Sequence, residues 1–374
     1  MITRYQTKPP LLLITRNFPP LWGGMERLNW HMAQELNRRY QVHVIAPTGA
    51  EEQAPEQVDV TEVALRPLWR FLLEAVIQAV IQARRLRPAV VLAGSGLTAP
   101  LAWLAARVCG ARAVVYVHGL DIVVPNRLYR ALWRPLLRRM DSVIANSHAT
   151  AALAEGAGVA VSRLRIVHPG VELPELDAGA RERFRVRYGL GDVPLLLSVG
   201  RLTARKGLRE FVADVLPRIV AQRPDVQLLV IGDVPKQALF AEGQTPESIR
   251  EVARAAGVNG HVRFLGTVSE TDLADAYQAA DVFVFPVREV LGDIEGFGMV
   301  AIEAAAHGLP TVAYAVGGVI DAIGDGVSGR LIQFGDHADF AEAVLEVLDH
   351  PFNTKQIRAY AEQFAWGRFG EIDL

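Results

Sequence analysis

The sequence predicts an α/β protein built from two doubly wound parallel-sheet domains. Three observations carry that expectation. Ten short apolar runs recur along the 374 residues, with longer helical patterns between them. Those runs are continuously apolar rather than alternating, which suits strands covered on both faces. At about 100–200 residues per domain, the length suits two domains, and the runs fall into two sets of five.

The first set is LLLIT (11–15), VHVIA (42–46), AVVLA (89–93), AVVYV (113–117) and SVIAN (142–146). The second is PLLLSV (194–199), QLLVI (227–231), VRFL (262–265), VFVF (282–285) and TVAY (311–314). Strands separated by helical patterns indicate βαβ units. Between the sets, residues 168–192 (HPGVELPELDAGARERFRVRYGLGD) read as a charged, proline- and glycine-bearing linker. The expected domains are 1–170 and 171–355, with a C-terminal helix at about 356–374 returning to the first. Open parallel sheets bind ligands beyond the carboxyl ends of their strands, so two such domains predict a cleft with one ligand held by each side.

Composition narrows the function. Apolar residues make up 51% and charged residues 21%, enough apolar material for a large core. A net charge of -2 lacks the basic excess of a general nucleic-acid binder. The lone cysteine, Cys109, sits in an apolar run and reads as a packing residue in a reducing compartment. The apolar core of the opening segment, Leu11 to Ile14, is too short for a secretory leader. No window is apolar enough to span a bilayer.

Four motifs carry chemistry. In EGFGMVAIEAAAHGLP (295–310), Gly296 and Gly298 keep the backbone bare after a strand, and a helix begins at Met299. A helix N-terminus attracts phosphate through its free N–H groups. Glu303, one turn in, can accept two hydrogen bonds from a vicinal diol such as a ribose 2′,3′-diol, and Glu295 can face a sugar or its phosphate. In SVGRLTARKGL (198–208), Arg201 and Lys206 follow a strand end, where they can neutralise charge growing on a leaving diphosphate. In FPPLWGGMERL (18–28), Gly23 and Gly24 open a helix. In VVYVHGLD (114–121), His118 ends a buried strand, placed for a hydrogen bond to the transferred sugar or the acceptor.

These stretches, with ANSHAT, HPGVE and FLGTVSETDL, appear in an order that resembles the family 4 retaining glycosyltransferases over nearly the whole chain. The resemblance implies the GT-B fold, two Rossmann-like domains facing a central cleft. It implies that Glu303 binds ribose and that Glu295 lies near the donor sugar and phosphate. Backbone amides of Phe297, Gly298 and Met299 would hold sugar hydroxyls and phosphate. Arg201 and Lys206 would form the diphosphate pair, and Gly23 and Gly24 would approach the β-phosphate. His118 would face the transferred sugar, and the loop near Val268 would meet the base. Glu295, Arg201, Lys206 and His118 are the expected catalytic set.

One departure stands out: after Gly318 come Val319, Ile320 and Asp321 where many relatives carry Pro-Glu. The segment GDIEGFG resembles a subset that includes mannosyltransferases acting on lipid-linked acceptors, which favours a GDP-linked, mannose-like donor. The implied product is a surface polysaccharide, lipopolysaccharide or glycolipid.

The resemblance implies retention of configuration, and front-face substitution is the expected route to it, because no motif clearly supplies the carboxylate nucleophile that two-step retention needs. No cofactor and no metal are expected, since the chain has no Asp-x-Asp and two cations can take a divalent ion's place. Competing readings are a nucleotide-sugar epimerase or glycan phosphorylase on the same plan, or an inactive sugar-nucleotide-binding subunit. An NAD enzyme is disfavoured, since no G-x-G-x-x-G follows the first strand.

Two stretches suit either an anionic membrane surface or a pair of core-facing helices with their arginines in solvent. Residues 126–140 carry Arg127, Arg130, Arg134, Arg138 and Arg139 beside Leu128, Leu132, Trp133, Leu136 and Leu137. Residues 66–88 add Trp69, Phe71 and Leu72. The expected location is cytoplasmic, at the inner face of the cell membrane.

Overall fold

The structure, a computed structural model, describes residues 8–21, 23–124, 126–234, 244–372 and 374, apart from the side chain of Leu128. Residues 1–7 of the opening segment, Trp22 of the Pro-Gly-Gly stretch and the Leu128 side chain of the basic helix therefore lie outside the described residues. The chain divides into two compact units, Met1–Gly170 with Trp366–Leu374, and Val171–Ala365.

The first unit holds strands β1 (Pro10–Ile14), β2 (Gln41–Pro47), β3 (Asp59–Val63), β4 (Val90–Ala93), β5 (Arg112–Val117), β6 (Ser142–Ala145) and β7 (Leu164–Ile166). Its helices are α1 (Gly24–Leu36), α2 (Leu68–Leu86), α3 (Ala99–Cys109), α4 (Leu120–Val123), α5 (Arg127–Leu137) and α6 (His148–Gly156). The seven strands pair in parallel in the order β3-β2-β1-β4-β5-β6-β7. Leu12 pairs with His43 on one side and Val91 on the other, so the central strand β1 is bonded along both edges and is buried from Leu11 to Ile14. That is why its sequence is a plain apolar run.

The second unit holds β8 (Leu195–Val199), β9 (Gln227–Ile231), β10 (Val262–Gly266), β11 (Val282–Phe285), β12 (Thr311–Tyr314) and β13 (Gly329–Ile332), in the parallel order β10-β9-β8-β11-β12-β13. Its helices are α7 (Ala180–Tyr188), α8 (Leu208–Glu210), α9 (Leu216–Gln222), α10 (Pro246–Ala255), α11 (Glu270–Ala279), α12 (Met299–Ala306), α13 (Val319–Ala322), α14 (His337–Asp349) and α15 (Thr354–Ala361). The final short helix, α16 (Trp366–Phe369), belongs to the first unit. Both sheets are α/β layers with helices against a buried parallel sheet, as the sequence predicts.

Two expectations need correction. The stretch 168–192 is more than a linker, because it contains α7. Only Ala180, Phe184 and Arg185 of that helix are buried, so its charged exterior hides the helical period. Arg185 is held by hydrogen bonds to the carbonyls of Ala279, Gly191 and Val193 and by an ion pair with Asp281 at 3.1 Å. The expected continuous helix at 356–374 is broken: α15 packs on α12 in the second unit, and only the residues from Trp366 onward join the first. There Trp366 stacks on His31, with ring centroids 4.2 Å apart, and Arg39 donates to the carbonyl of Ile372.

Candidate active site

Both sheets reverse strand order once, between β1 and β4 in the first unit and between β8 and β11 in the second. At such a reversal the following loops diverge and leave a crevice beyond the strand ends. The loops after β1, β8 and β11, which carry Gly23 and Gly24, Arg201 and Lys206, and Glu295, leave these two points, whereas His118 follows β5 and Val268 follows the edge strand β10.

In the second unit, the loop after β8 carries Arg201, Arg205 and Lys206, and the loop after β11 carries Asp293 and Glu295. The Lys206 ammonium donates to Glu295 Oε2 at 2.7 Å. The Arg205 guanidinium bonds the same carboxylate oxygen through one NH2 group and donates from Nε to Asp293 Oδ1 at 2.9 Å. Arg205 and Glu295 are buried, whereas Arg201 stands exposed. Burial alone would push the Glu295 carboxyl up. The charges of Arg205 and Lys206, the Lys206 hydrogen bond and the Arg201 charge outweigh it and hold the carboxyl at about 2. Burial also lowers the Lys206 ammonium, against the pull of Glu295. Lys206 lies 4.6 Å from the centre of the Phe285 ring, a cation–π floor.

The next link is Gly298, the residue that caps α12. Its φ of 94° is a left-handed conformation suited to glycine. A Cβ there would lie 2.9 Å from Phe285 Cε1. No side chain caps this helix, so the amides of Met299 and Val300 are available to a ligand oxygen. Phe297 is buried in the core and offers the site its backbone only. Glu303, half-buried one turn further, accepts a hydrogen bond from the Tyr277 hydroxyl at 3.1 Å. The Tyr277 ring stacks on His307 at 5.0 Å. Val268 lies just beyond β10, half-buried against the core. Asp321 sits in the first turn of α13, where its carbonyl accepts from the Tyr360 hydroxyl.

In the first unit, Gly23 caps α1 in extended backbone, with φ 163°, and Gly24 begins the helix. Again no side chain caps the helix start. His118 is buried where β5 ends. Its Nε2 lies 2.9 Å from the carbonyl of Gly94 at the end of β4. A carbonyl only accepts, so Nε2 carries the hydrogen and Nδ1 is the atom left for a ligand hydroxyl. Asp121 fixes the turn, accepting from the His118 amide at 3.0 Å and the Gly96 amide at 2.7 Å.

Sequence reading missed Arg205, Asp293 and Tyr277. A signal for Asp293 existed: it precedes Glu295 by two residues, so in extended chain both carboxylates point the same way.

Two doubly wound sheets, with cations, carboxylates and a bare helix start at a switch point, define a GT-B glycosyltransferase. Residues 180–364 match the family model of glycosyl transferases group 1, and residues 22–175 match that of glycosyltransferase family 4. The chain belongs to the family 4 glycosyltransferases, as its motifs implied. It is 30% identical over 354 residues to a GDP-mannose-dependent α-(1-6)-phosphatidylinositol monomannoside mannosyltransferase of Mycolicibacterium smegmatis, covering 91% of this chain and 90% of that protein. It is 37% identical over 208 residues to a D-inositol 3-phosphate glycosyltransferase of the same organism. That match covers 55% of this chain, and the chain spans about half (45%) of that relative's length. The fold is similar to that of HepE from Anabaena in complex with UDP, with a TM-score of 0.79 and 20% identity over 97% of each chain. It is also similar to sucrose-phosphate synthase from Thermosynechococcus elongatus, with a TM-score of 0.78 and 22% identity over 97% of this chain and 96% of that one.

Proposed function

We propose that the protein transfers a hexose, mannose-like in preference, from a GDP-linked donor to a glycan or lipid-linked acceptor, with retention of configuration and without a metal. The observation that supports this reading best is the Arg205–Glu295–Lys206 cluster beside the uncapped start of α12. Glu303 grips the ribose diol of the donor. The Gly298 and Met299 amides, Arg201 and Lys206 receive the diphosphate. Glu295 holds the Lys206 ammonium in place and lies by the donor sugar.

As the glycosidic bond breaks, negative charge grows on the leaving phosphate, and fixed cations stabilise it without reorganising. The departing phosphate oxygen accepts the acceptor's proton, so the protein acts by positioning and charge. His118 Nδ1 accepts a hydroxyl of the transferred sugar. The donor preference rests on the full-length mannosyltransferase relative, named for GDP-mannose. Its lipid-linked acceptor, and the phosphorylated inositol in the name of the shorter match, favour a phosphate-bearing or lipid-borne acceptor. On this reading the reaction runs at the inner face of a membrane; among the described residues no helix is long and apolar enough to cross one.

The test is a thermal-shift and hydrolysis screen over UDP-, GDP- and ADP-sugars in excess EDTA, with the anomer of the product read by NMR. GDP-mannose giving the largest shift and a retained product supports the proposal. An inverted product, or activity abolished by EDTA and restored by one divalent ion, would sink it.

A further inference from the structure

Three arginines among the described residues are buried: Arg16, Arg185 and Arg205. An arginine rarely leaves water unless its charge is matched. Arg185 is matched by Asp281 and the carbonyls of Ala279, Gly191 and Val193. Arg205 is matched by Asp293 and Glu295. Arg16 differs from both. Its Nε is buried without a hydrogen-bond partner, and among the described residues no hydrogen bond or ion pair holds its guanidinium. Burial, and after it the charge of Arg66, push the Arg16 guanidinium below its ordinary range, while Glu26 pulls the other way.

The place of this charge in the fold is informative. Arg16 stands two residues past β1, at the strand-order reversal of the first unit. It is 9% exposed, so part of it stays open to solvent. Across the reversal, at the end of β4, lies Gly94, whose carbonyl His118 bonds. Arg66 is exposed and follows β3 at the same carboxyl edge of the sheet. The carboxylates of the neighbouring loops are already occupied. Glu26 accepts from Asn17 Nδ2 at 2.7 Å, and Glu62 accepts from the amides of Gly49 and Glu51 at 2.8 and 3.0 Å. Asn29 Oδ1 on α1 and Ser95 Oγ after β4 are also buried without partners. Three unmatched polar atoms thus lie on the elements that flank one reversal, and one of them belongs to a cation.

We infer that Arg16, together with Arg66, binds the phosphate of a phosphorylated acceptor and selects that class of acceptor over neutral sugars. This rests on the transfer reaction proposed above and names the residue that reads the acceptor's charge. Phosphate suits the pair better than carboxylate. The two arginines come from different loops, and a tetrahedral anion offers oxygens to both, whereas a planar carboxylate fills one guanidinium fork. An unmatched buried charge destabilises the empty protein, and a bound anion reverses that effect.

The test is calorimetric titration of the full chain, saturated with GDP so that the diphosphate site is filled. The probes are inorganic phosphate, glycerol 3-phosphate, a short-chain phosphatidic acid and, as the neutral control, glycerol. The three phosphates should bind and glycerol should not. Arg16→Gln should weaken their binding about tenfold or more, as for a lost charged hydrogen bond, and Arg66→Gln a few-fold. Arg16→Lys, which keeps the charge without the fork, should recover part of the loss. Without phosphate, Arg16→Gln should melt at or above the wild-type temperature, whereas a purely structural arginine would lower it. Equal affinity for glycerol 3-phosphate and the phosphatidic acid assigns the site to the phosphate alone; tighter binding of the lipid adds its acyl chains to what is recognised. No phosphate binding by the unaltered chain, or undiminished binding by Arg16→Gln and Arg66→Gln, would overturn the inference. So would a GDP affinity that falls in Arg16→Gln by the same factor, because the anion would then be the donor's. Phosphate binding that depends on Arg16, in a chain that transfers from no nucleotide sugar, would count against the proposed function and leave the anion site standing.

Discussion

Arg205 and Asp293 form a pair behind Glu295, with Nε to Oδ1 at 2.9 Å and little of either side chain exposed. Arg205 bonds Glu295 through one of its NH2 groups, so Asp293 orients the cation that orients the carboxylate. Asp293→Asn should leave the fold intact and release that orientation. We expect kcat to fall about tenfold, equivalent to about 1.4 kcal/mol of barrier, with a smaller change in donor KM. Unfolding free energy should drop by about 1–3 kcal/mol from the weakened buried hydrogen bond. Steady-state kinetics and denaturant melts check both. A donor KM effect larger than the kcat effect would count against a positioning role.

The Glu295 carboxyl titrates at about 2 against an ordinary 4.5. A depressed folded value means that ionisation stabilises the folded state. That contribution is fully present above 4.5 and is lost as pH falls towards 2. Glu295→Gln removes it and takes the carboxylate from Lys206, while Arg205 keeps Asp293, a change that costs about 3–5 kcal/mol when a buried pair is broken. The stability gap between the wild type and this variant should therefore be flat from about pH 5 to 7 and narrow below that. Denaturant unfolding across pH measures the gap. A gap that widens in acid would contradict the assignment.

Gly298→Ala tests the start of α12. The substitution forces a side chain into φ 94° and brings a methyl against the Phe285 ring. The strain should cost about 1–3 kcal/mol. Relief requires the helix start or Phe285, which underlies Lys206, to move. Donor-induced thermal stabilisation should therefore shrink well beyond what the lower melting temperature explains.

Much of this fold is legible in the chain. All ten apolar runs are strands, and the three strands that were not expected, β3, β7 and β13, each lie at the edge of a sheet. An edge strand has a neighbour on one side only, so it needs no continuous apolar run. DVTEV alternates, LRI is three residues long, and GRLI opens with glycine and arginine. The site divides in the same way. Glu295, Glu303 and Lys206 stand in short motifs whose spacing shows in one sequence. Arg205 looks like any loop cation beside Lys206, and only tertiary packing distinguishes the buried one from the solvated one. Tyr277 reaches Glu303 from a separate helix, a contact that no local spacing encodes.

Tyr277→Phe removes that hydroxyl and nothing else. The stacked ring stays on His307, so the fold should lose about 1 kcal/mol or less. Glu303 keeps its charge and loses a donor that aims it. Donor KM should rise a few-fold with kcat nearly unchanged, as for uniform binding of the nucleoside in ground and transition states. Free GDP should show the same weakening in calorimetry. An effect on the sugar but none on the free nucleotide would remove Glu303 from the ribose.

His118 presents two nitrogens with separate duties, and two substitutions divide them. Gln places its amide near the position of Nε2, so His118→Gln can keep the bond to the Gly94 carbonyl and give up the Nδ1 acceptor. Asn places its amide near Nδ1, so His118→Asn keeps an acceptor for the sugar hydroxyl and abandons Gly94. If the ring serves the transferred sugar, His118→Gln should melt near the wild-type temperature and lose transfer about ten- to a hundredfold, as for one well-placed polar contact. His118→Asn should lose about 1–3 kcal/mol of stability, because the buried Gly94 carbonyl is left without its donor, and should retain more transfer. Were both variants equally stable and equally slow, His118 would be a packing residue of β5, and the contact to the sugar would belong to another group.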